Sequence, residues 1–231
     1  MSSNEGPMDI STELLKTTIK RFLIVVVFGI AFAYIEAAVV VYLREIFHSD
    51  GFTFPLTTFG TTERWKQLLL TEIGREAATI VLTFTASWLF GRNRQQRFAY
   101  FATIFAIWDI FYYVWLKVLL DWPASVMDWD ILFLIPMAWA GPVLAPVLIS
   151  ITLVLFAMVI LYRDCCGRPL KASLIDWLGF ILAGLVIVIS FCIAGLHIAE
   201  KDFRSHFYWL VFGLGYASAV AIFIKCLLRS K

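Results

Sequence analysis

Three charges fall within five residues of an otherwise apolar stretch: Glu72, Arg75 and Glu76 in "LLLTEIGREAATIVLTF". Carboxylates so close together can share protons, hold a hard cation through oxygen, or pair with the guanidinium between them. Residues three and four apart share a helix face, so Glu72, Arg75, Glu76, Thr79, Thr83 and Ser87 form one polar stripe. Two neighbouring apolar stretches are charged as well. Glu36 sits among the small residues Ala33 and Ala37, where a second helix can pack closely, and Asp109, Tyr113 and Lys117 recur at i, i+4 and i+8. Glu36, Glu72, Arg75, Glu76, Asp109, Tyr113 and Lys117 therefore form the candidate cation- or proton-binding cluster.

Energetics makes such a cluster more than an accident of spacing. A single charge at the centre of a membrane helix costs about 2.5–3.5 kcal/mol even on lenient insertion scales. Four carboxylates stand against Arg75 and Lys117, a formal balance of −2. Arg75 can hold one or two of them through its fork. The remainder calls for protons, a bound cation or an aqueous path. A cation is thus the only cofactor-like species expected, and no metal is assigned. The structural alternative is that the ion pairs merely fix helix register.

The elements that carry these charges follow from composition. Of 231 residues, 61% are hydrophobic and 16% charged, with mean hydropathy +0.84. Soluble domains carry about 25% charged residues, so this chain cannot cover a water-facing surface. The expected fold class is all-α, a polytopic membrane bundle of six transmembrane helices over 22–43, 68–90, 98–120, 134–162, 173–196 and 207–228. Each is near or above the roughly 20 residues that cross a bilayer. Residues 1–21 read as an amphipathic segment lying in the interface, with Ile10, Leu14, Leu15 and Ile19 at helical spacing and Phe22 continuing the row. Residues 22–231 read as one domain. "AFA" at 31–33 resembles a signal-peptide cleavage site, but the apolar run continues ten residues beyond it, so a retained helix is expected.

Lys and Arg counts orient the chain. With the N-terminus cytoplasmic, that side holds twelve: Lys16, Lys20, Arg21, Arg92, Arg94, Arg97, Arg163, Arg168, Lys171, Lys225, Arg229 and Lys231. The other side holds five: Arg44, Arg64, Lys66, Lys201 and Arg204. Both termini are expected inside. Glu36 then lies roughly 10 Å below the outer surface, Glu72 about 6 Å, Glu76 about 12 Å, Asp109 roughly 15 Å and Lys117 about 5 Å, so three helices charge one layer.

The remaining motifs are weaker. In "LLDWPASVMDWDILFLIPMAWAGPVLAP", Asp121, Asp128 and Asp130 alternate with Trp122 and Trp129, which read as headgroup anchors. The apolar run from Ile131 to Tyr162 holds Pro136, Pro142 and Pro146, which should kink or break it. A broken binding-site helix and a re-entrant cap fit equally. His48, His197 and His206, with Asp50, Asp128, Asp130, Glu200 and Asp202, lie on the outer side but show no tight ligand spacing, so ordinary loop histidines are expected. Gly213, Ala217 and Ala221 recur every four residues as a close-packing stripe, and no repeat relates the two halves. Four cysteines make no disulfide framework, a net charge of +2 excludes nucleic acid as a partner, and no nucleotide loop or nucleophile elbow occurs.

At "EIGREAATIVL", "WDIFYYVWLKVLLDWPAS" and "DWDILFLIPMAWAGPVLAPVL" the chain resembles a family of uncharacterised bacterial multi-pass integral membrane proteins, over about residues 34–150. The resemblance implies a bacterial inner (plasma) membrane and brings no activity, cofactor or partner. Three functions stay open. One is cation or proton binding for transport or sensing, with Glu36, Glu76 and Asp109 as the binding groups. Another is a scaffold subunit docking other membrane subunits through its last three helices. The third is an intramembrane carboxylate- or metal-dependent enzyme, which needs an outward-open pocket. The partners expected are the lipid bilayer and either further copies of the chain or other membrane subunits.

Overall fold

The computed structural model describes residues 7–47, 52–56 and 63–230, with side chains over 12–47, 52–56 and 66–230. Six α-helices run in order: α1 (Pro7–Phe47), α2 (Glu63–Phe90), α3 (Arg94–Leu120), α4 (Leu144–Cys165), α5 (Leu174–Leu196) and α6 (Trp209–Arg229). Between α3 and α4 lies an antiparallel hairpin, β1 (Trp129–Phe133) and β2 (Trp139–Pro142). Five helices, α1 and α3 to α6, are long and apolar enough to cross a membrane. At 28 residues α2 is long enough, but its charged stripe lowers its hydropathy and leaves it outside that set.

Local chemistry explains where the helices begin and end. Asn93 caps α3 by accepting from the Gln96 N–H, and the Gln96 side chain accepts in return from the Arg92 N–H. Gly91 leaves room for this turn, because a Cβ there would lie 2.5 Å from the Arg97 nitrogen. Ser173 and Asp176 form a full capping box at the start of α5. Lys225 and Arg229 of α6 both pair with Asp176, which closes that end of the bundle.

The helices pack as α1 on α3, α3 on α4, and α5 on α6, with α2 against α3. Close α1–α3 contact rests on small residues: Ala33 and Ala37 are fully buried, and a Cβ on Gly29 would meet Ile107 at 2.8 Å. One apolar cluster joins Val25, Tyr100, Ile104, Ile160 and Phe223 in the half away from the hairpin. A second joins Trp129, Phe191, Phe203, Phe207 and Phe212 beside the hairpin.

Several expectations change. The N-terminal segment is continuous with the first apolar stretch: α1 is one helix of 41 residues, about 60 Å long. No Gly or Pro occurs between Thr12 and Phe28 to interrupt it. Residues 1–6 lie outside the described residues. The fourth helix starts at Leu144, where a span from 134 was expected, because 129–142 folds back as the hairpin. Pro136 sits in the turn, Pro142 ends β2, and Pro146 occupies the first turn of α4, where a missing N–H costs nothing. The prolines thus shape a hairpin and break no helix. Trp129 is not a headgroup anchor but a core residue, 7% exposed. The stripe of Gly213, Ala217 and Ala221 does not pack inside the chain, since Ala217 and Ala221 are exposed and nothing lies within 4 Å of a Cβ at Gly213. Gly215 makes that contact instead, since a Cβ there would lie 2.9 Å from the Ala183 carbonyl oxygen.

Candidate functional site

A cavity of about 360 Å³ opens among α1, α2, α3, the hairpin, α4 and α5. Six of the seven candidate residues line it: Glu36, Glu72, Arg75, Glu76, Asp109 and Tyr113. Phe105, Trp108, Phe133, Trp139 and Phe191 supply most of an aromatic wall. The charges therefore face inwards and towards one another, as the desolvation cost of a lone charge in an apolar bundle requires.

Each charged group has a defined role in the geometry. Arg75 forks between two carboxylates, pairing with Glu36 across to α1 and with Glu72 one turn back, where its Nε donates at 2.9 Å. Glu76 is 7% exposed and has no cationic partner among the described residues; its Oε2 accepts from the Leu134 N–H at 2.9 Å. Leu134 follows β1 directly, so its N–H is free of the strand ladder and available to a side chain. Asp109 accepts from the Ser150 hydroxyl at 2.8 Å and likewise lacks a cationic partner among the described residues. Tyr113 is buried against Tyr112 and Trp122.

Lys117 does not belong to the cluster. Its ammonium lies half-exposed at the end of α3 and pairs with Asp121 at 2.7 Å, holding that carboxyl below its ordinary range. The face that carries Asp109 and Tyr113 inwards leaves the bundle one turn later. Lower down α2 the hydroxyls of Thr79, Thr83 and Ser87 are buried, yet each donates to a carbonyl of its own helix. That part of the stripe is satisfied locally and forms no polar path.

Two cavity residues were assigned to loops by sequence reasoning: Arg44 and Asp130. Arg44 stands in the last turn of α1, 8% exposed, and meets Asp130 of β1 at 3.1 Å. The guanidinium sits in the corner made by the Phe52 and Trp122 rings, at 4.2 and 4.0 Å, and Asp130 also accepts from the Tyr112 hydroxyl at 3.2 Å. The signal was present in the aromatic residues flanking both charges, but only the hairpin brings them together. Five carboxylates (Glu36, Glu72, Glu76, Asp109, Asp130) now face two guanidiniums (Arg44, Arg75), a formal balance of −3. Trp108 and Trp139, both in the wall, bury indole N–H groups that have no acceptor among the described residues.

At the hairpin end, outside this cavity, His197, Glu200 and His206 come together. His48 and Asp50 lie outside the described residues.

Fold and site together define a helical chain compatible with multi-pass membrane insertion, built around a carboxylate-rich, aromatic-walled cavity. No protein-family model, curated protein or solved structure matches the chain.

Proposed function

We propose that this protein binds a cation in the cavity, either an apolar organic cation or protons, in the service of transport or sensing. One observation carries the reading: Glu76 and Asp109 line an aromatic-walled space while every guanidinium there is already held by another carboxylate. A hard inorganic ion wants six or more oxygens around it. An apolar cation fits better, because aromatic faces attract it and the apolar wall removes its hydrocarbon from water.

The bundle is proposed to cross a bacterial inner membrane six times, with both termini in the cytoplasm. Twelve basic residues against five support the orientation. Arg75 supports α2 as the sixth span, since it ties the charged stripe to α1 and turns it away from lipid.

Tetraphenylphosphonium serves as the test ligand, in equilibrium binding and in proteoliposome uptake with and without a proton gradient. Glu76→Gln keeps an acceptor for the Leu134 N–H, and Asp109→Asn keeps one for Ser150, so both variants should fold. A carboxylate roughly 6 Å from the phosphonium centre attracts it by about 3 kcal/mol at an effective dielectric of about 20, so each variant should bind up to about 150-fold more weakly. Lys117→Ala should match the parent. Equal binding and uptake by parent, Glu76→Gln and Asp109→Asn would refute the proposal, as would a parent that neither binds the probe nor takes up protons.

The same cavity favours one second reading, an enzyme using Glu76 or Asp109 as general acid or base. Chemical alteration of a bound amphiphile, rather than its unchanged return, would support that reading instead.

A further inference from the structure

We infer that His197, Glu200 and His206 form a binding site for a zinc-class divalent metal ion, distinct from the cavity. His197 caps the C-terminal end of α5, Glu200 lies in the following turn, and His206 ends the short 3-10 helix Phe203–His206 that precedes α6. None of the three lines the cavity. One ligand atom from each residue lies within 4.8 Å of the other two.

The contacts inside the group suit a metal better than a closed hydrogen-bonded trio. His197 Nδ1 is 2.8 Å from Glu200 Oε1. His206 Nε2 is 3.9 Å from Glu200 Oε2, beyond hydrogen-bond reach, so the second imidazole turns a nitrogen towards the carboxylate without bonding to it. The two rings are stacked, with centroids 3.8 Å apart and planes 13° apart, so their in-plane lone pairs run side by side and one ring must turn for both to meet a shared ion. Nδ1 of His206 lies 3.4 Å from the Ser205 hydroxyl, on the far side of the ring, where an outer-shell partner of a metal-bound imidazole belongs.

Ligand chemistry selects the ion. Two imidazoles and one carboxylate are a zinc-type set, with metal–ligand distances near 2.0–2.2 Å, which places tetrahedral ligands roughly 3.3–3.5 Å apart. The His197–Glu200 contact, at 2.8 Å, is shorter than that spacing and the His206 contact, at 3.9 Å, is longer, so binding opens the first by about 0.5 Å, closes the second by about as much and turns one imidazole out of the stack. Three protein ligands leave a fourth position for water. The site would pin the α5–α6 connection. Behind it Ile198, Phe203 and Phe207 pack on Trp129 of β1, and the Leu56 N–H donates to the Ile198 carbonyl at 2.8 Å. Metal binding would therefore brace the surface on which the hairpin rests.

The test uses the full chain, purified in detergent without a polyhistidine tag and stripped with a chelator. Cobalt(II) is titrated in and followed by its visible d–d absorption, then displaced with zinc. One cobalt per chain is expected, displaced stoichiometrically. The signal should vanish in His197→Ala and His206→Ala, and Glu200→Gln should weaken binding by about tenfold or more. His48→Ala, altering the only other histidine, should bind as the parent does. Zinc should raise the melting temperature of the parent and not of His206→Ala. Far-UV circular dichroism confirms that each variant is folded; should His197→Ala, at a helix end, fail that control, His206→Ala decides. An absent cobalt spectrum in the parent, or an unchanged one in folded His206→Ala, overturns the assignment.

Discussion

Replacing Arg44 by Met tests whether the hairpin is held to the bundle by a buried ion pair. The side chains of Arg44 and Asp130 are 9% and 3% exposed, so removing the guanidinium leaves a carboxylate in an apolar setting with only the Tyr112 hydroxyl, 3.2 Å away, and the Ile131 backbone N–H. Breaking a buried pair from one side costs about 3–5 kcal/mol. Loss of the cation–π contacts with Phe52 and Trp122 forms part of that cost, since a desolvated cation–π contact is worth about 2 kcal/mol. The double variant Arg44→Met/Asp130→Leu should recover the part of the cost that comes from the orphaned charge, leaving about 2 kcal/mol for the lost cation–π contacts. Unfolding in mixed micelles titrated with dodecyl sulfate, followed by circular dichroism, measures all four corners of the cycle. A cost below about 1 kcal/mol for Arg44→Met, or a double variant whose cost equals the sum of the singles, would refute the reasoning. The pH dependence has a definite sign. Burial pushes the Asp130 carboxyl up while Arg44 pulls it back. A carboxyl raised in the folded state favours folding at low pH and loses that contribution as pH rises through its folded value. Without Arg44 the opposing pull is gone, so the penalty of Arg44→Met should be largest at neutral pH and shrink on acidification.

Two further outcomes follow from packing and orientation. Gly215→Ala would place a Cβ 2.9 Å from the Ala183 carbonyl and should cost about 1–3 kcal/mol in the same unfolding assay, whereas Gly213→Ala meets nothing and should be neutral or gain up to about 1 kcal/mol; equal effects would contradict the α5–α6 packing. In a variant keeping only Cys166, which is exposed at the end of the bundle away from the hairpin, an impermeant maleimide should label inverted vesicles and spare intact spheroplasts. The opposite pattern would reverse the proposed orientation.

Much of the site was legible because helices are periodic. Glu36, Glu72, Arg75, Glu76, Asp109 and Tyr113 reach one cavity along the faces that spacing assigned to them. Lys117 shows where periodicity fails. It shares the face of Asp109, but it stands near the helix end, where a flexible stem reaches outwards to Asp121. Arg44 and Asp130 failed in the opposite direction. Their positions near apparent loops suggested solvent, while a hairpin that no hydropathy window detects folds Asp130 back onto the end of α1. The histidines belong with them, since His197 and His206 are nine residues apart and meet only because the connection before α6 curls back.

The chain alone determined its helical, lipid-compatible character and the inward burden of charge, because each rests on composition and on the 3.6-residue repeat within a single segment. Which acid meets which base was decided by tertiary structure. Pairing depends on the relative depth and rotation of separate segments, and here the hairpin sets both, lending the Leu134 N–H to Glu76 and Asp130 to Arg44. Those contacts leave Glu76 and Asp109 without a guanidinium of their own, and no spacing along the chain records that.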